Sequence, residues 1–315
     1  MQNILVTGGA GFIGSNLINE LLKNFDIKVY IFDNLSTGRK ENLPLNNPNL
    51  VLFEIDLSTD YKEWPVIKNL NYIYHFAANA DVRGGILNRD IDLHQNLLVT
   101  KSVCDYARIN NCEHLIFASS AAVYGEPSNF PTSENECFRQ TSIYGASKLA
   151  CEAFIQAYSE YGDFKSSIFR FVSWIGVGYS HGVIYDFYKK LKINKKYLEI
   201  LGDGSQRKSF LDVSDGVKGI IKLVNHNSKS EIFNLGHSEI MSVKELADIV
   251  CESLSIRNIN YKFSGTKRGW IGDSPMVHLD ISKAKSYNWE PKVSIKKGVI
   301  NTINYLSEDN KNLFR

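Results

Sequence analysis

Apolar residues in the first half of the chain fall in short runs, separated by longer stretches with helical spacing. Residues 3–6 are one such run; Thr7-Gly8-Gly9-Ala10-Gly11-Phe12-Ile13-Gly14 follows, and Leu17, Ile18, Leu21 and Leu22 then recur at helical spacing. The order predicts a strand, a glycine turn and a helix. Further strands are predicted at 28–32, 50–55, 72–76, 114–118 and 166–171, with helices at 94–109 and 144–161. Alternation of this kind predicts an α/β fold, a doubly wound parallel sheet covered on both faces, with ligands at the C-terminal strand ends. Asp33, Asp56, Ala77 and Ser120 fall at such ends.

After residue 172 the rhythm breaks. A helix is predicted at 183–195, a short strand at 198–201, a strand and helix over 210–224, a strand at 232–235 and a helix over 242–254. Ser242 is its N-cap, with Glu245 at capping-box spacing. This predicts two interleaved domains. Residues 1–172, with 209–238 returning to them, form the first; 173–208 and 239–315 form a smaller α/β substrate domain.

The glycine turn carries the first chemistry. Gly8 permits the tight turn, Gly11 lets backbone approach a diphosphate, and Gly14 lets the helix pack close to the strand. The free N–H groups of the helix N-terminus then face the phosphate charge. Asp33 stands 19 residues after Gly14, at the end of the second strand. A carboxylate there accepts both ribose hydroxyls of NAD and repels the 2′-phosphate of NADP.

Composition narrows the class. The 315 residues are 43% hydrophobic, enough for a sizeable core, and the net charge of +2 implies neither nucleic acid nor a membrane surface as partner. No apolar run approaches the ~20 residues that span a bilayer, and a strand starting at residue 3 leaves no room for a signal peptide. Cysteines at 104, 112, 137, 151 and 251 form no C-x-x-C pair, which fits free thiols in the cytoplasm. No metal site is expected: His75, beside a buried strand end, has no second ligand at metal spacing and reads as a hydrogen-bonded core histidine.

Tyr144 and Lys148 are four apart on one predicted helix and share a face. An adjacent ammonium favours phenolate, so such a tyrosine can take a proton from an alcohol while the same carbon gives up hydride. The spacing alone selects nothing, because Tyr-x-x-x-Lys also begins at 161, 185 and 188. Ser120 singles out Tyr144. It ends a buried strand within Ser119-Ser120-Ala121-Ala122-Val123-Tyr124-Gly125, where its hydroxyl can bond the same substrate oxygen.

With these pieces the chain resembles an extended short-chain dehydrogenase/reductase of the NAD-dependent epimerase/dehydratase family. The resemblance rests on the glycine turn, Asp33-Asn34-Leu35-Ser36-Thr37-Gly38, Asp56-Leu57, His75-Phe76-Ala77-Ala78, Ser119 to Gly125 and Tyr144-Gly145-Ala146-Ser147-Lys148. Gly202-Asp203-Gly204-Ser205-Gln206 and Asp280-Ile281-Ser282-Lys283-Ala284 extend it over nearly the whole length. It implies a Rossmann domain, NAD as cofactor and a nucleoside-diphosphate sugar, GDP- or UDP-linked, as substrate. It puts Ser120, Tyr144 and Lys148 in the catalytic set. It implies a cofactor site of Gly8, Gly11, Phe12, Ile13, Asp33, Asn34, Ser36, Thr37, Gly38, Asp56, Leu57, Ala77, Ala78 and Asn96, with Tyr144 and Lys148. Asp56 and Leu57 would hold the adenine and Lys148 the nicotinamide ribose. The substrate residues implied are Arg83, Ser120, Ser173, Val183, Arg207 and Arg268, the last on the diphosphate. A homodimer through helices 94–109 and 144–161 is implied as well.

The departures shape the function. Family dehydratases carry two acids directly after the catalytic hydroxyl residue; here they are Ala121 and Ala122, which transfer no proton. The usual Asn and Pro after the sixth strand are Ser173 and Val177, and the usual Arg after Gln206 is Lys208, with Arg207 adjacent. The expectation is oxidation at C4 of a hexose or heptose nucleotide, by a 4-epimerase or a net 4-dehydrogenase, for surface-polysaccharide (capsule) precursors. A GDP-heptose 4-dehydrogenase is one such member. The alternative is a catalytically silent NAD-binding sensor or scaffold.

Overall fold

Seven strands make the central sheet of the computed structural model, which describes residues 1–24 and 26–308. Numbered in chain order together with four strands of smaller sheets (β7 to β10), they are β1 (Gln2–Thr7), β2 (Ile27–Asp33), β3 (Leu50–Glu54), β4 (Leu70–His75), β5 (His114–Ser120), β6 (Lys165–Phe171), β7 (Ser173–Ile175), β8 (Tyr197–Ile200), β9 (Arg207–Lys208), β10 (Phe210–Asp212) and β11 (Ser230–Leu235). The sheet order is β11-β6-β5-β4-β1-β2-β3, every pairing parallel. The chain runs outward from β1 in one direction to β3, then restarts at β4 on the other side. That reversal between β1 and β4 opens a crevice at the strand ends, where ligands of such sheets bind. β1, β2, β5 and β6 are rich in Val, Ile, Leu and Phe and buried along most of their length, as strands with both faces covered must be.

The covering helices are α1 (Phe12–Leu21), α2 (Gly84–Leu87), α3 (Val99–Ile109), α4 (Ile143–Tyr161), α5 (Val183–Ile193), α6 (Val213–Leu223), α7 (Val243–Ser253), α8 (Ser282–Ser286) and α9 (Ile295–Glu308). Leu17, Ile18 and Leu21 of α1 and Val217, Ile220 and Leu223 of α6 share one core with Ile4, Val6 and Ile31 of the sheet. Val99, Val103 and Ala107 of α3 and Cys151 and Ile155 of α4 form a second core with Leu5, Ile73 and Leu115. A third joins α5, α7 and α9 to β8 and β10. The capping box at Ser242 and Glu245 is present in full.

Two elements differ from their sequence patterns. The segment expected as one helix over 94–109 opens as a π-helical turn, Leu93–Leu98, before α3. The extra residue in that turn brings Asn96 inward, where it is 1% exposed. The helix expected to reach residue 195 stops at Ile193, because Asn194 turns extended at φ −142°.

α4 positions the site. The Ser142 side chain caps its start by accepting from Gly145 N at 3.0 Å, and Gly162 ends it in the left-handed region at φ 87°. Ser147, Lys148, Cys151, Glu152, Ile155 and Ser159 recur at helical spacing on its buried face. The buried Glu152 carboxylate meets the buried Arg170 guanidinium of β6, Nη2 to Oε2 2.7 Å and Nε to Oε1 3.0 Å. Ser119 donates to the same carboxylate, and Arg170 Nη1 donates to Tyr124 Oη at 2.8 Å.

Candidate active site

The glycine turn lies at the end of β1. Gly8 has φ 67°, and a Cβ there would stand 2.7 Å from the Ala77 amide nitrogen. A Cβ on Gly14 would stand 2.4 Å from Gly8 O, so only glycine lets α1 pack onto its own entry loop. Gly11 is the N-cap of α1 and supplies no side chain to the helix N–H groups. Asp33 clasps the turn from β2: Oδ2 accepts from Ala10 N at 2.9 Å and Oδ1 from Leu35 N at 2.8 Å. Its carboxylate keeps further lone pairs for hydroxyl donors. Gly38 packs on Ala10, where a Cβ would lie 2.9 Å from the Ala10 methyl. Asn34, Ser36 and Thr37 are exposed around Asp33. A cradle that any Cβ would fill, a free helix N-terminus and a carboxylate at the second strand end together fit NAD.

Other expected cofactor residues divide. Phe12 and Ile13 begin α1, and Phe12 packs edge-on against Tyr179, centroids 5.7 Å apart. Asp56 is exposed; the Ser58 amide and hydroxyl hold it below the usual carboxylate range, so it is ionised. The Leu57 side chain is buried in the second core, which leaves only its backbone to a ligand. Ala77 and Ala78 are half-buried just past β4, and Ala77 N donates to Thr7 Oγ1 at 3.2 Å. That hydroxyl also accepts from Phe76 N, so its own proton goes to His75 Nδ1, 2.7 Å away. His75 Nε2 then donates to Thr100 Oγ1 at 3.0 Å. Burial lowers the His75 pKa to about 3, so the ring is a neutral core group. Among the described residues no cluster of metal-ligating side chains exists.

The expected catalytic set converges. Tyr144, in the first turn of α4, meets Ser120 at the end of β5, near enough for that hydroxyl to favour the phenolate. Gly145 permits the approach; a Cβ there would lie 2.4 Å from Ala122 O. Lys148 is buried, donates from Nζ to Ala118 O at 2.9 Å and lies 4.7 Å over the Phe117 ring. Of the other three Tyr-x-x-x-Lys pairs, the one at Tyr161 is excluded at once, since Tyr161 is 81% exposed.

One electrostatic expectation is corrected. The phenol is not made acidic by the protein alone: burial pushes Tyr144 up to about 12, against the Ser120 hydroxyl, which lowers it. Lys148 Nζ is 6.0 Å from the Tyr144 ring centroid and turned to a backbone carbonyl, and burial brings its own pKa down to about 8. Desolvation is the largest cause of both shifts.

Asn96 lies in the π-helical turn with its amide engaged inside the protein. Its Oδ1 accepts from Asn79 N at 2.8 Å, and its Nδ2 donates to Asp92 Oδ1 and Ser147 Oγ, both at 3.0 Å. This makes it a brace of α4 rather than a side chain open to a ligand. Sequence reasoning missed Asp92, Glu152, Arg170 and Glu126. Two had a signal: Glu152 continues the 144, 148 spacing on one helix face, and Asp92 precedes Asn96 by four residues.

The expected substrate residues lie on several segments. Arg83 precedes α2 and is exposed, Ser173 opens β7 just past β6, and Val183 starts α5. Arg207 is exposed in β9, while the adjacent Lys208 is paired with Asp273 at 2.6 Å. Arg268 is paired with Glu126, which follows the catalytic strand. Ser274 Oγ also donates to Gly125 O at 2.7 Å, so the Arg268 loop is tied to the catalytic segment. Glu126 therefore competes with any anion for Arg268. E126Q is therefore expected to tighten nucleoside-diphosphate binding by roughly three- to fivefold, the scale of an exposed ion pair, and R268A to weaken it, as read by calorimetry.

A family model described as the NAD dependent epimerase/dehydratase family matches residues 4–236. A putative UDP-glucose 4-epimerase of Methanocaldococcus jannaschii is 34% identical over 314 residues, spanning 98% of this chain and 99% of that one. Among solved structures, a UDP-galactose 4-epimerase superposes with TM-score 0.87 at 33% identity, covering 98% of this chain and 99% of the other. A UDP-glucuronic acid 4-epimerase from Bacillus cereus, in complex with UDP-glucuronic acid and NAD, gives TM-score 0.88 at 25% identity, with 98% and 99% covered.

Proposed function

Since the chain belongs to the NAD-dependent epimerase/dehydratase family, and so is an NAD-dependent enzyme of nucleotide sugars, we propose that it oxidises C4 of a UDP-sugar and returns the hydride as a 4-epimerase. The observation that carries this reading is the convergence of Ser120 at the end of β5, Tyr144 in the first turn of α4 and buried Lys148 one turn further on. The glycine turn and Asp33 would hold NAD, which when bound would supply the hydride acceptor and a positive charge. Ser120 orients the C4 hydroxyl, Tyr144 removes its proton, and Lys148 stabilises the phenolate by its charge. Ala121 and Ala122, in the turn after Ser120, offer no acid for eliminating water, which argues against 4,6-dehydration.

UDP is favoured over GDP by the relatives named above. Residues 173–208 and 239–315, of which 309–315 lie outside the described residues, are read as the sugar-nucleotide domain; the third apolar core and the cations Arg207 and Arg268 support this for the described part. A homodimer through α3 and α4 is supported by exposed Ile109, Phe154 and Tyr161. We place the enzyme in the cytoplasm, where its free cysteines stay reduced, making surface-polysaccharide precursors. Among the described residues no helix is long and apolar enough to cross a membrane. A silent sensor needs no buried lysine beside a tyrosine, so that alternative lacks support.

The test is incubation with UDP- and GDP-linked hexoses, hexuronates and heptoses, followed by proton NMR. The expected product is the C4 epimer of a UDP-sugar, without added oxidant. A 4-keto sugar that accumulates only with an added keto-acid hydride acceptor would instead mark a net dehydrogenase.

A further inference from the structure

A cleft of about 810 Å³ opens at the end of the sheet away from Ser120, where β5 and β6 begin. Two histidines line it that the proposed reaction does not use. His114 opens β5, and His226 lies in the link from α6 to β11. Between them stands Ser167 of β6, fully buried, with His114 6% and His226 9% exposed. Both Nε2 atoms lie 2.8 Å from the one Ser167 Oγ. The rings cross at 80° with centroids 5.4 Å apart. A hydroxyl carries a single proton, so it donates to one of these nitrogens and accepts from the other. The two neutral rings therefore hold opposite tautomers. His226 Nδ1 is buried and has no hydrogen-bond partner among the described residues.

We propose that His114, Ser167 and His226 form a one-proton lock on the edge of the sheet. His226 donates through Nε2 to Ser167, Ser167 donates to His114 Nε2, and the first proton taken up adds at the unpartnered His226 Nδ1. That uptake breaks no hydrogen bond, and the Glu231 carboxylate and Ser228 backbone favour the imidazolium it makes. A second proton has no such place. At His114 Nε2 it would turn the Ser167 proton away and set two imidazoliums with centroids 5.4 Å apart. Other titratable groups surround the pair. Tyr72 packs on His114 from β4, and Cys112 and Glu113 precede it. Asp163 and Lys165 line the cleft from the turn between α4 and β6, and Lys229 from the residue before β11. Burial, then Lys165 and Lys283 of α8, oppose charge on His226. Burial, then His226 and Lys165, bring His114 down to about 4. The lock fastens the segment entering β11 to β5 and β6. At the other end of β11, Asn234 accepts from Tyr124 Oη at 2.8 Å, in the turn after Ser120. The edge strand is thus held between the lock and the catalytic segment.

Both rings titrate lower in the folded chain than in the unfolded one, where histidine lies near 6.5. Their contribution to stability is complete above that pH and is lost as pH falls toward the folded values. For His114 the unfolding constant should rise roughly tenfold per pH unit between 6.5 and 4, as urea unfolding would read. The direct test is long-range 1H–15N NMR of the full-length protein labelled with 15N-histidine. Near pH 8 it should show His226 protonated at Nε2 and His114 at Nδ1. On acidification only His226 should become charged while the protein stays folded. In H226Q the amide can accept from Ser167, which frees His114 to donate through Nε2, so His114 should titrate at higher pH than in wild type. The same tautomer on both rings, or both rings charged in the folded protein, would overturn the proposal. So would a His114 titration unchanged by H226Q; if that variant does not fold, the wild-type spectra decide alone. These spectra need no substrate, so they are independent of whether any sugar turns over.

Discussion

Tyr144→Phe is expected to cut turnover by ~10²–10⁴ and to leave NAD affinity nearly unchanged, because a positioned general base contributes on that scale. The ring stays packed at the start of α4, and only the hydroxyl that meets Ser120 is lost. The glycine turn and Asp33 are untouched by the change, so cofactor titration by fluorescence should overlay on wild type. The upward shift of the phenol to about 12 sharpens the expectation. Unassisted, Tyr144 stays a protonated phenol at neutral pH and is no base; the positive charge of Lys148, and that of NAD when bound, would favour the phenolate that takes the proton. Near-normal turnover in the phenylalanine variant would remove Tyr144 from the mechanism.

Arg170→Met is expected to destabilise the fold by about 3–5 kcal/mol, the usual cost of leaving one member of a buried ion pair alone. Arg170 is 2% exposed and joins Glu152 of α4, Tyr124 and the Glu134 carbonyl. Its removal strands a carboxylate that is 1% exposed and that also holds Ser119, the neighbour of Ser120. Urea unfolding should record the loss, and R170M combined with E152L should recover part of it by removing the stranded charge. If R170M alone unfolds at the wild-type urea concentration, the pair contributes nothing to holding α4 against β5 and β6.

The sheet was legible in the sequence because strands such as β1 and β2 are buried along most of their length and carry short apolar runs. The glycine turn was legible for a different reason: Gly8 and Gly14 occupy places where a Cβ collides with backbone, and that constraint leaves a fixed spacing. Ser120, Tyr144 and Lys148 were found from their places at a strand end and on one helix face. What stayed hidden depends on contacts between distant segments. Nothing local in Glu126 announces its pairing with Arg268, 142 residues later. The π-helical turn at Leu93–Leu98 keeps an ordinary helical pattern in sequence, so the inward rotation of Asn96 could not be read from spacing. The sign of the Tyr144 shift was missed because desolvation is a property of the packed site, absent from a pair of residue types four apart.

In the proposed reaction hydrogen leaves C4 as hydride and stays out of water. A UDP-sugar accepted in the substrate panel, deuterated at C4 and run to equilibrium in ordinary water, tests this directly. The account predicts a C4-epimerised sugar that retains its deuterium at C4, seen by deuterium NMR. Epimerisation with the label washed into solvent would contradict it, since that outcome requires proton rather than hydride transfer.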